Sequence, residues 1–121
     1  MEVTRTERGW GGHFCRASEC MFRRNTLLDN GAEKVVVSTV GNLISSTTGD
    51  LETLDARESY FETMAFKSDP DDSHYHDIDV QKQVFFNSPN NITESGDDNK
   101  ANEMHEVVVE ELTDKLSKGE I

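Results

Sequence analysis

Asp29-Asn30-Gly31 lies between two apolar runs, Met21–Leu28 and Ala32–Leu43, and constrains the fold more than any other feature of the chain. Asn-Gly between alternating apolar runs is the strongest short-range hairpin signal, because the central residues of a tight hairpin turn need positive φ. A two-residue Asn30-Gly31 turn pairs Asp29 with Ala32. Counting back sets Arg24 opposite Val37, Arg23 opposite Ser38 and Phe22 opposite Thr39. A three-residue turn shifts that register. Because strand side chains alternate, one face holds Phe22, Arg24, Thr26, Val35, Val37 and Thr39. The other holds Met21, Arg23, Asn25, Leu27, Val36, Ser38 and Val40.

The remaining pattern supplies two more strands and a helix. Tyr60–Lys67 alternates Tyr60, Glu62, Met64 and Phe66 against Phe61, Thr63, Ala65 and Lys67. Ile78–Asn87 sets Ile78, Val80, Val84 and Phe86 against Asp77, Asp79, Gln81 and Gln83, then adds Phe85. Both read as strands. From about Asp98 to Lys118, Ala101, Met104, Val108, Leu112 and Leu116 recur at helical spacing and form one apolar stripe. Asp97 and Asp98 suit the helix start, Lys115 and Lys118 its end, and Gly119 the position just beyond it. Residues 1–12 read as an irregular lead-in, His13-Phe14-Cys15 as a short strand, and residues 45–58 as a long polar connection. Residues 68–73 read as a turn cluster and 88–99 as a polar loop. The expected fold is α+β, an antiparallel β-sheet with a C-terminal amphipathic helix packed on it.

A chain of 121 residues suits one domain, 1–121. Its apolar fraction of 34% implies a small core, so self-association is expected to bury further surface and give a homo-oligomer. No apolar run is long enough to span a membrane, and Met1–Thr6 lacks the apolar region of a signal peptide. A cytoplasmic location follows as an expectation, with Cys15 and Cys20 remaining thiols.

The charge is unevenly divided. Residues 1–48 hold six basic and five acidic residues, whereas residues 49–121 hold six basic and 19 acidic, within a formal net charge of −12. A nucleic-acid-backbone binder needs a basic stripe, which is missing here. Two openings remain: a local arginine pocket for a small anion, or an acidic surface that attracts a basic groove.

Candidate chemistry narrows in the same direction. His13, Cys15 and Cys20 offer three zinc ligands but no second pair to close a tetrahedral site. Asp69, Asp71, Asp72, Asp77 and Asp79 lack the glycine and terminal glutamate of a calcium loop. No glycine-flanked elbow orients Ser38 or Ser59 as a nucleophile, and no phosphate-cradling glycine loop occurs. The chain is therefore expected to be neither an enzyme nor a cofactor or metal carrier. His105 falls near the border of the helical stripe and reads as a partly buried helix histidine. The arginines remain. Arg23, Arg24 and Arg57 occur beside residues suited to a nucleotide, among them Asn25, Thr39, Tyr60 and Phe61. Guanidinium groups grip phosphate or stack on a base, and the competing reading is an internal ion pair with Glu62 or Asp79.

Five blocks carry a family resemblance: Gly9-Trp10-Gly11-Gly12-His13-Phe14, Phe22-Arg23-Arg24-Asn25-Thr26, Val36-Val37-Ser38-Thr39-Val40-Gly41, Tyr60-Phe61-Glu62-Thr63-Met64-Ala65-Phe66 and Asn102-Glu103-Met104-His105. With them the chain resembles the first-described family of Thoeris anti-defence proteins, which phages and prophages carry. That resemblance implies a signal sponge, which binds a cyclic ADP-ribose isomer made by a bacterial TIR protein and holds it uncleaved. Cyclic oligonucleotides are a possible further ligand class. It also implies a sheet with C-terminal helical structure assembled into dimers or larger oligomers, acting in the cytoplasm of the infected host. Within the matching blocks and beside them, the ligand-binding candidates are Arg23, Arg24, Asn25, Thr39, Arg57, Tyr60, Phe61 and Phe85. Arginines would meet the pyrophosphate and an aromatic ring the adenine. The rival expectation is an acidic phage inhibitor, a DNA-mimic decoy that occupies a groove of a bacterial defence nuclease complex. A hydrolase that destroys the signal is a further rival.

Overall fold

A computed structural model of the chain describes residues 2–8, 20–44, 48–49, 51–52, 61–68, 78–87 and 98–121, with 42–44, 51–52, 78–87 and 98 in backbone only. Six strands and one helix follow in order: β1 (Thr4–Glu7), β2 (Cys20–Asp29), β3 (Lys34–Ile44), β4 (Leu51–Glu52), β5 (Phe61–Ser68), β6 (Ile78–Asn87) and α1 (Asp98–Ser117). They build one antiparallel sheet in the order β1-β2-β3-β5-β6, with the two-residue β4 pairing the end of β3. With α1 packed on this sheet, the fold class is α+β. None of the described helical residues forms a helix long and apolar enough to cross a membrane.

The β2–β3 hairpin forms where the sequence places it, but two residues out of the expected register. Asp29 pairs with Lys34, not Ala32, and Arg24 with Thr39, Arg23 with Val40 and Phe22 with Gly41. The cause is the Asn30 side chain. Its Oδ1 accepts from the backbone N–H of both Ala32 (2.9 Å) and Glu33 (2.7 Å), which holds open a four-residue loop, while Asp29 Oδ1 accepts from Gly31 N–H. Asparagine side chains commonly replace backbone turn bonds in this way. Gly31 takes φ +93°, a conformation costly to other residues. A shift of two residues preserves the faces, so the partition of side chains is unchanged.

Two further elements depart from expectation. The lead-in contains β1, which pairs with the end of β2 (Arg5 with Leu28, Glu7 with Thr26). The polar connection contains β4. The expected strand at His13-Phe14-Cys15 and the turn and loop at 69–73 and 88–97 lie outside the described residues.

Alternation along the strands gives the sheet a helix-facing side bearing Leu28, Val35, Val37 and Ala65. These pack against Val108, Val109, Leu112 and Leu116 of α1, with Val3 and Ile121 at the margin. A second apolar contact, at the other end, joins Phe61 and Ala101 with Phe22 and Met104. There Phe22 and Phe61 flank Gly41 across neighbouring strands. Their rings meet edge to face at 5.5 Å over the glycine, which has no side chain to separate them. The sheet's opposite side is also buried at its centre, at Val36, Ser38, Val40 and Phe66.

α1 ends in two bonds that close its last carbonyls. Gly119, at φ +68°, donates its N–H to the Leu116 carbonyl, and Glu120 donates to that of Lys115. This is the Schellman arrangement. The Leu116 carbonyl also accepts from Asn30 Nδ2 at 3.0 Å, which ties the hairpin loop to the helix end.

Candidate functional site

Between the two apolar contacts, the sheet and α1 meet through polar side chains. Thr26 on β2, Thr39 on β3 and Thr63 on β5 all face α1, and His105 descends among them. None of the four is more than 1% exposed. His105 lies within the apolar stripe, not at its border: it is four residues from Ala101 and Val109 and three from Val108, so it shares their face. Its Nε2 lies 2.7 Å from Thr26 Oγ1 and its Nδ1 2.8 Å from Thr39 Oγ1. Thr39 Oγ1 in turn lies 2.8 Å from Thr63 Oγ1.

The chemistry of the end groups fixes the direction of each bond. Glu7 is ionised and only accepts, so Thr26 donates its hydroxyl hydrogen to Glu7 Oε2 at 2.9 Å. Thr26 therefore accepts from His105 Nε2–H. A neutral imidazole has one donor and one acceptor, which leaves Nδ1 to accept from Thr39. Thr39 then accepts from Thr63. Every hydroxyl hydrogen in the chain points the same way, towards the Glu7 carboxylate.

Arg24 completes this assembly from the outer side. Its guanidinium donates to both oxygens of Glu7 and to Oε1 of Glu106, and Arg5 holds Glu106 through two bonds of 2.6 and 2.7 Å. Arg5, Arg24, Glu7 and Glu106 form a charge-neutral cluster over one edge of the sheet. The arginine bonds hold Glu106 at a pKa of about 2, Arg5 contributing most. Burial disfavours the ionised form of Glu7, but hydrogen bonds from Arg24 and Thr26 outweigh it and keep the group below its ordinary value. Burial, followed by the positive charge of Arg24, lowers His105 to about 4. The imidazole is neutral at pH 7. It is also closed from solvent, which suits an organising role more than proton transfer with a substrate.

The structure divides the candidate ligand residues. Arg24, Thr39 and Phe61 face α1, where Arg24 bonds carboxylates, Thr39 bonds His105 and Thr63, and Phe61 packs on Phe22. Arg23 and Asn25 occupy the opposite face. Arg24 thus follows the competing reading and makes an internal ion pair, with Glu7 and Glu106 as its partners. Phe85 pairs with Ala65 through the backbone of β6. Arg57 and Tyr60 lie outside the described residues.

Glu7, Thr26, Thr63 and Glu106 complete the polar centre; Thr26 and Thr63 fall within the resembling blocks but are not among the candidate ligand residues, and Glu7 and Glu106 lie outside them. The signal was present but indirect: Thr4-Arg5-Thr6-Glu7 has the polar alternation of an exposed edge strand. Glu106 follows His105 directly, one helical turn from Asn102. No protein-family model, curated protein or solved structure matches this chain.

Proposed function

We propose that this protein is a non-catalytic sponge that binds a cyclic ADP-ribose isomer signal and holds it intact, so blocking Thoeris immunity in a phage-infected bacterium. The observation that carries this reading is the convergence of the resembling blocks. Residues Phe22–Thr26, Val36–Gly41 and Phe61–Phe66 lie side by side on β2, β3 and β5. Asn102–His105 rests on them, with His105 bonded to Thr26 and Thr39. Blocks far apart in sequence therefore form one unit, in which the helix block fixes the strands that present the arginine pair.

Within that unit Arg24 is committed to Glu7 and Glu106. We assign ligand contact to Arg23 and Asn25 on the other face, together with Arg57, with the adenine stacked on Tyr60; Phe85, in register with the α1-facing Ala65, belongs to the opposite side of the sheet and leaves this set. A chain of net charge −12 repels a dianion, so desolvated guanidinium contacts must overcome the general field. Each charge-assisted hydrogen bond contributes roughly 1.5–3 kcal/mol, enough for two or three to outweigh screened surface repulsion. The working form is a homo-oligomer in the host cytoplasm.

Calorimetry with cyclic ADP-ribose isomers, followed by chromatography of the ligand recovered after denaturation, tests both halves of the proposal. Tight binding with unchanged ligand is expected, and Arg23→Ala should weaken it about ten- to a hundredfold. Absence of heat with every isomer refutes the reading, and a converted product makes the protein an enzyme.

The outward face of α1 favours a second reading. Glu103, Glu110, Glu111 and Asp114 are all exposed there, a row of carboxylates compatible with a DNA-mimic inhibitor of a defence nuclease complex. Binding by such a surface weakens steeply with added salt, whereas binding in a desolvated nucleotide pocket weakens little.

A further inference from the structure

Among the described residues β1 ends the sheet, and its outer edge has the features of an acceptor for another strand. Its four residues are all exposed. Arg8 donates its backbone N–H inward to the Asn25 carbonyl at 2.7 Å. In an antiparallel ladder alternate residues point the same way. Thr6 and Thr4 therefore also turn inward, and Val3, Arg5 and Glu7 direct their N–H and C=O groups outward.

Edge strands are ordinarily guarded by charged side chains. Here that guard is drawn aside, because Arg5 is held by Glu106 on α1 and Glu7 by Arg24 on β2. Beside the edge, between β1 and α1, runs a groove of about 420 Å³. Val3, Val109 and Thr113 give it a largely apolar floor, Glu110 and Asp114 an acidic rim, and Arg5, whose charge is met by Glu106, and Ser117 complete the lining. Asp114 is paired with Lys118, but Glu110 forms no ion pair among the described residues.

We propose that this edge and groove form a docking site for an extended basic segment of another protein, which joins the sheet as a further strand beyond β1. Backbone bonds to Val3, Arg5 and Glu7 would provide sequence-independent affinity, and alternate side chains of the added strand would enter the groove. A lysine or arginine opposite Val3 lays its aliphatic stem on Val3, Val109 and Thr113 and brings its charge to Glu110. Charge selects this occupant over a second copy of the chain. Antiparallel pairing of two β1 edges keeps both helices on one side of the joined sheet and sets two acidic rims on the same side, in a protein of net charge −12.

The test uses the full chain and a short acetylated peptide alternating lysine with threonine, followed by fluorescence anisotropy and amide hydrogen exchange. Binding is expected, with new protection at the Arg5 and Glu7 amides. Glu110→Lys, on the exposed side of α1, should weaken binding about tenfold by removing an attraction and adding a repulsion. A peptide with glutamate in place of lysine should not bind. No binding at millimolar peptide, equal binding by Glu110→Lys, or protection confined to other amides overturns the proposal. A dimer whose Arg5 and Glu7 amides are already protected assigns the edge to a second copy and overturns it equally.

Discussion

His105 is the one residue of α1 whose replacement cannot be made conservative. Leucine would match its burial but not its bonds, and a protonated imidazole would have two donors facing a threonine chain arranged for one. Removing the ring leaves a cavity and deprives Thr26 and Thr39 of a partner, so His105→Ala is expected to cost about 3–4 kcal/mol in urea unfolding. The low pKa sets an acid response with a definite sign. Between pH 6.5 and about 4 the unfolded chain takes up a proton at His105 that the folded chain refuses, so stability falls as pH falls. Over the full window the loss is roughly 3 kcal/mol. Glu106 and Glu7 have depressed values, so their contribution persists to lower pH and is lost as pH falls below the ordinary carboxylate range, that of Glu106 between about 4.5 and 2. Unfolding measured at pH 7, 5 and 3 should show both phases, and His105→Phe should abolish the first alone. Arg24→Ala should destabilise by about 1–2 kcal/mol, because it strips Glu7 and Glu106 of bonds that solvent partly screens. Arg23→Ala, on the other face, should leave the Glu7–Glu106 cluster intact and show its effect in ligand binding.

At the scale of elements, the joints between strands and helix are the points most open to test. Asn30→Ala removes the two loop bonds and the tie to Leu116 together, and about 1–2 kcal/mol should be lost. A side chain at Gly41 would wedge between the Phe22 and Phe61 rings, so Gly41→Val is expected to cost about 2 kcal/mol despite valine's preference for strands. Hairpin, two further strands and helix were legible because period-two and helical spacings are long enough to read through noise. The register was not. It depended on whether Asn30 used its backbone or its side chain to close the loop, and both options satisfy the same dipeptide. β1 left only an indirect signal for another reason: an edge strand of alternating threonines and charges buries too little to leave an apolar signature. In the polar centre His105 was visible as a helix histidine, but Thr26, Thr39 and Thr63 come from three strands and are brought together only by the sheet.

The whole molecule separates two electrostatic tasks. Its neutral cluster of two arginines and two glutamates locks β1, β2 and α1 together, whereas the outer face of α1 carries exposed carboxylates at Glu103, Glu110 and Glu111. Salt should therefore act more strongly on encounters with charged partners than on folding, since the cluster is neutral and its charges are in direct contact, whereas attraction of a partner to unpaired carboxylates acts over distances that salt screens. Urea midpoints at low and high salt should differ little, while any association through the outer face of α1 should weaken sharply. The hairpin loop also governs how the protein ages. Asn-Gly is the dipeptide most prone to deamidate, through attack of the glycine nitrogen on the asparagine side-chain carbon with loss of ammonia. In the fold the Gly31 nitrogen donates to Asp29, and the Asn30 amide is held by three bonds, so the two reacting groups are kept from their attack geometry. Folding thus suspends a chemical clock, which unfolding restarts. Once the amide becomes a carboxylate it meets the Leu116 carbonyl as a repelling neighbour, so each hydrolysed molecule loses the tie between hairpin and helix and refolds into a looser protein.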